Sequence, residues 1–225
     1  MSDRPIVVLM SWNLVARTLT FVRSDGKQAT VDTPAFEPAE ALRIVRVDWS
    51  IPLNAAIVYV DRGDEIVLEM QHHIRTDQLG NRLVVYLDQC HWSTIANARH
   101  RPHLLTPSEL SAADQIEEWV RERKIALPLS SGHHIETTQY GNTEHRYVLA
   151  VTMMQLSRGW QMRSGLTVRR NEMYEAFRIR FDTLAPARNE AVFSLEPFIT
   201  STTGPSLPNC RPSTSTCNEH LNTRP

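Results

Sequence analysis

Cysteine is scarce in this chain, with three in 225 residues, and Cys90, Cys210 and Cys217 are too few and too unevenly placed for a disulfide scaffold. A reducing cytosol is the setting this implies. Net charge is also nearly absent: a formal −1 at pH 7 excludes an electrostatic grip on nucleic acid by the surface as a whole, though not a local basic patch. With 41% apolar residues, wholesale disorder is excluded too. No apolar run approaches the roughly 20 residues of a transmembrane helix. The start, Met1-Ser2-Asp3-Arg4-Pro5, leads into an apolar run too short for a signal peptide. A soluble, cytoplasmic protein with no membrane partner is expected. Ser130 and Ser131 lack a Gly-x-Ser-x-Gly elbow, which argues against acyl transfer.

What is present suggests one domain with a substantial core plus an accessory piece. Residues 1–75 read as a small β-rich unit. Two β-prone runs flank Ser24-Asp25-Gly26-Lys27, a strong hairpin signal, and two more flank Asp61-Arg62-Gly63-Asp64. The pair His72-His73 lacks a third ligand at sensible spacing and reads as solvated connector.

Chemistry begins after residue 82. Leu83-Val84-Val85-Tyr86-Leu87 is a fully apolar run of the kind that forms a buried parallel strand, and it ends at Asp88. A short helix follows, and then Thr106-Pro107-Ser108-Glu109 supplies a capping box with proline in the first turn of a second helix. Ile125-Ala126-Leu127-Pro128-Leu129 reads as the next parallel strand, and Glu136 falls in the early turns of the helix after it. Parallel neighbours place Asp88 and Glu136 at one rim of the sheet, where open α/β sheets put their chemistry. Their repulsion is relieved by a hard divalent cation, Mg²⁺ or Mn²⁺, which also activates water.

The order of these motifs, a strand ending Leu87-Asp88-x-x-x-Trp92, about 40 residues, then Pro128-Leu129-Ser130 and Glu136, resembles the first half of the PIN-domain nucleases. These include the toxin ribonucleases of bacterial toxin–antitoxin pairs. Gln89 stands where that family usually has a small polar residue. The resemblance implies an α/β, PIN-like three-layer domain over residues 82–198 with a central parallel sheet, preceded by the small β-rich N-terminal unit. It implies a metal-dependent endoribonuclease with Asp88 and Glu136 as catalytic and metal-binding residues, RNA as substrate, and an antitoxin-like protein or a second copy as partner. The further acids such a site needs are sought at Asp182 and Glu196, the latter closing the strand-like run Ala191-Val192-Phe193-Ser194-Leu195.

The remaining segments add packing more than chemistry. Residues 144–160 form an amphipathic helix whose Leu149, Met153, Leu156 and Trp160 read as core, with a partner contact as the alternative. Leu166-Thr167-Val168 reads as extended, and residues 171–180 as another helix with Met173, Ala176 and Phe177 on its inner face; Arg169, Arg170, Arg178 and Arg180 offer a grip on phosphate or a solvated face. Residues 199–225, rich in Thr, Ser, Pro and Asn, are expected to be disordered, and the α/β domain before them to be divergent or truncated at its C-terminal end. A metal site at Cys210, Cys217 and His220 in that tail is a minor alternative. Three function classes stand: the metal-dependent ribonuclease; a non-catalytic α/β domain that binds a protein through the Met-rich helix and N-terminal sheet; and a Zn²⁺ site at Asp88, His91 and His134.

Overall fold

The computed structural model describes residues 4–34, 44–70, 79–181 and 192–195. Its largest element is a six-stranded sheet built from β1 (Val7–Asn13), β2 (Thr18–Arg23), β3 (Gln28–Asp32), β4 (Ile44–Ser50), β5 (Ala55–Val60) and β6 (Glu65–Glu69). The order is β3-β2-β1-β4-β5-β6 and every pairing is antiparallel. Both expected hairpins form. Arg23 N–H donates to Lys27 O at 2.9 Å around Gly26, whose φ of 80° suits a residue without Cβ, and Val60 N–H donates to Asp64 O at 3.1 Å around Gly63.

This sheet overturns the expected architecture. The parallel sheet that should have been central consists of β7 (Leu83–Val84) beside β8 (Ile125–Ala126), with one further parallel bridge from Leu129 to Gln161. The PIN-like three-layer fold, and with it the resemblance to the PIN nucleases, is therefore corrected to an α/β fold dominated by an antiparallel sheet. The physical reason lies in chain closure. Residues 7–69 include hairpins closed by short turns, at little entropic cost, whereas β7 and β8 meet only after some 40 residues. Their pairing also fails early, because Tyr86 turns 53% exposed and Pro128 has no N–H to give.

Helices α1 (Gln89–His100), α2 (Pro107–Arg121), α3 (Ser131–Gln139), α4 (Thr143–Ser157) and α5 (Gly165–Arg180) follow, with β9 (Gln161–Met162) pairing antiparallel to β10 (Phe193–Ser194). The capping box at Thr106 and Glu109 is realised, with the Glu109 carboxylate accepting from the Thr106 N–H at 2.8 Å. Its pKa falls because that carboxylate accepts from the Thr106 backbone and hydroxyl. Residues 166–168, expected to be extended, are instead the first turns of α5, because Ser164 caps the helix by accepting from Thr167 N–H.

Helix α4 joins two apolar clusters. Leu149, Met153 and Leu156 pack with Trp92, Ile95, Leu127 and Leu129, while Tyr147 and Met154 lie against Val58, Val60 and Ile66 of the large sheet. Its methionines thus serve the interior. Polar ties reinforce the second contact: Tyr147 O–H donates to Asp64 at 2.7 Å, and Gln155 donates to Glu65 O at 2.9 Å. Beside it Arg82 reaches both carboxylate oxygens of Glu69 at 3.0 Å, and Trp160 Nε1–H donates to the same carboxylate at 3.2 Å.

Candidate functional site

The rim after β7 is organised by His133 rather than by its acids. Leu87, at the end of the apolar run, accepts a hydrogen bond from His133 Nε2 at 2.8 Å, and His133 Nδ1 accepts from Ser130 N–H at 3.1 Å. A backbone N–H can only donate, so Nδ1 carries the lone pair and Nε2 the proton. The ring is 1% exposed, stacked 5.0 Å from Tyr86 and edge-on to Trp92 at 6.2 Å. Burial lowers its pKa against the opposing pull of the Leu87 carbonyl, Glu136 and Asp88. It is therefore a neutral latch between the strand end and the N-terminus of α3.

Asp88 directly follows Leu87, and Glu136 lies three residues beyond His133 on α3. Asp88 is the N-cap of α1, accepting from Gln89 N–H at 2.8 Å, and its side chain is exposed. Glu136 lies on the second turn of α3 and is also exposed. The negative charge of both opposes the lowering of the His133 pKa by burial. His91 is exposed and lies 3.6 Å by its Nδ1 from Cys90 Sγ; His134 is lowered in pKa by burial and then by His133, even though its side chain reaches the surface. Among the described residues no group of three or more His, Cys, Asp and Glu is placed to hold a metal, the set Asp88, His91 and His134 included. Asp182 and Glu196 lie outside the described residues, as do His72, His73, Cys210, Cys217 and His220.

Behind the rim sits a polar seam that composition did not reveal. Gln89 is buried and donates from Nε2 to Thr137 Oγ1 at 3.1 Å; Thr137 Oγ1 in turn approaches Met153 Sδ at 3.6 Å. Gln89 Oε1, Trp92 Nε1 and Thr152 Oγ1 are buried without a hydrogen-bond partner. The spacing Ser130-x-x-His133 was the available signal for the latch. It is a capping box in which histidine takes the place of the usual glutamate.

No family model, curated protein or solved structure matches the chain. With the antiparallel sheet dominant and no metal cluster among the described residues, the identity as a PIN-domain nuclease is withdrawn, and the antitoxin-like partner loses the resemblance that implied it.

A second surface is more developed than the rim. Along α5, Leu166, Met173, Phe177 and Phe181 just beyond its end recur at spacings of seven, four and four, so they form one stripe. They are 69%, 55%, 57% and 67% exposed, so Met173 and Phe177, expected on the inner face of this helix, lie outward, and Phe177 stacks on Phe181 at 6.2 Å. Arg170 lies within the stripe and Arg169 and Arg180 beside it, all exposed; Arg178 is instead paired to Glu175 at 2.7 Å. No helix of the described residues is long and apolar enough to cross a membrane.

Proposed function

We propose that the chain is a non-catalytic α/β module that binds a partner protein through the exposed face of α5. The observation that carries this reading is the stripe of Leu166, Met173, Phe177 and Phe181 set among Arg169, Arg170 and Arg180. Contiguous exposed apolar surface rimmed by charge is the mark of an interaction site. The arginines select its chemistry: an acidic amphipathic helix, with leucines at helical spacing against the stripe and carboxylates against the guanidinium groups. The test is anisotropy of a labelled acidic, leucine-striped helical peptide titrated with the full chain. Saturable binding is expected, weakened by salt, lost in Phe177→Asp and reduced roughly tenfold in Arg170→Glu by loss of one attractive pair and gain of a repulsive one. Both positions are exposed, so far-UV circular dichroism should not change. Binding to anionic vesicles in preference to the peptide, or binding that survives Phe177→Asp, would overturn the reading.

A second reading is favoured by one observation: the His133–Leu87 hydrogen bond ties α3, which carries Glu136, to the residue preceding Asp88, and both acids are exposed. In it the two carboxylates hold Mg²⁺ or Mn²⁺, with Asp182 or Glu196 as a further ligand, and the chain hydrolyses phosphodiester bonds of RNA in the cytoplasm. Asp88→Asn should then abolish Mg²⁺-dependent cleavage of single-stranded RNA while leaving the unfolding midpoint nearly unchanged. Equal cleavage by both forms, or none by the wild type, would sink it.

A further inference from the structure

We infer that the outer edge of β3 is a self-recognition site, where two copies of this chain pair antiparallel about Thr30 into one continuous sheet. This goes beyond the binding role of α5 and uses a different surface. The two edges of the six-stranded sheet are treated differently. On β6, Glu69 N–H donates to Arg158 O at 2.8 Å and Gln155 donates to Glu65 O, so the end of α4 closes that edge. On β3 all residues are exposed, and among the described residues β2 is its only neighbour in the sheet.

The register identifies which groups the edge offers. Arg23 N–H donates to Lys27 O and Thr33 N–H to Arg17 O, at either end of the β2–β3 ladder. Antiparallel bonding alternates, so the odd residues of β3 bond inward and Gln28, Thr30 and Asp32 point their N–H and C=O outward. Five residues of extended backbone with an unsatisfied outer row form a template for another strand.

The segment Gln28-Ala29-Thr30-Val31-Asp32 is complementary to itself in one register. With Thr30 opposite the partner's Thr30, each outward residue meets an outward residue, and the backbone groups exchange in pairs. On the polar face, Gln28 then lies opposite the partner's Asp32, an amide donor against a carboxylate. The contact of Thr20 Oγ1 with Thr30 Oγ1 at 3.0 Å extends through the partner's Thr30 into a hydroxyl ladder. On the other face Ala29 meets the partner's Val31, which is 49% exposed in the single chain and continues the row that runs through Leu19, Trp12 and Val47. A slip of one residue would turn every side chain to the wrong face. A slip of two would remove both Gln28–Asp32 pairings.

Sedimentation and light scattering of the full chain at tens of micromolar should show a dimer. Thr30→Pro removes an outward N–H and leaves the bonds of β3 to β2 intact, so it should give a monomer with an unchanged far-UV spectrum. Gln28→Asp sets like charges opposite each other twice and should weaken the dimer roughly tenfold, while Gln28→Asp combined with Asp32→Gln restores the complement and the affinity. A wild-type monomer over the whole concentration range would overturn the inference. So would a dimer indifferent to both Thr30→Pro and Gln28→Asp, which would place the contact on another surface.

Discussion

His133 shows how one side chain can hold two elements and set a pH response. Its ring nitrogens satisfy the Leu87 carbonyl and the Ser130 N–H, at the point where a strand end and a helix start meet. Replacing it by phenylalanine keeps an aromatic ring between Tyr86 and Trp92 but leaves a buried carbonyl unmet, at a cost of about 1–3 kcal/mol. Because burial lowers its pKa below the ordinary value of 6.5, the unfolded chain binds the proton more readily than the folded one. Stability is then fully present above that value and is lost as pH falls below it toward the folded pKa. Urea unfolding of the wild type should therefore weaken from neutral to acid pH more steeply than that of His133→Phe, with His134 supplying a residual slope of the same sign. Identical slopes would assign the acid sensitivity to other groups.

At the scale of elements, α4 explains why the chain's sheet and its helical layer form one interior. Its faces serve different neighbours, with Leu149 and Met153 toward α1 and Tyr147 and Met154 toward β5 and β6. The periodicity of this helix was legible, as was the capping box of α2, because both are written in residues three and four apart. Which neighbour each face would meet was not, since nothing local distinguishes a helix destined for a parallel sheet from one destined for an antiparallel sheet. The Glu69–Arg82 pair lies at this junction, with both side chains 11% exposed. Arg82→Ala should cost about 3 kcal/mol in denaturant unfolding by leaving the Glu69 carboxylate uncompensated. The double substitution Arg82→Met with Glu69→Met should cost less than Arg82→Ala alone; a greater loss would mean that the pair stabilises by more than mutual neutralisation.

For the whole molecule, the sequence by itself determined the turns at Gly26 and Gly63, the cap at Thr106, and the apolar periodicity of the helices, since each is decided by residues within a few positions of one another. Asp88 and Glu136 were legible as acids near strand ends for the same reason. Only the tertiary structure decided that Leu83–Val84 would have a single short parallel partner while residues 7–69 closed into the dominant sheet. It alone showed that His133 lies buried and joins the Leu87 carbonyl to the start of α3, and that α5 keeps Met173 and Phe177 in solvent. The difference is one of range: turn and cap energies are fixed within a few residues, whereas sheet order and the exposure of a helix face depend on long loop closures competing for the same apolar surface.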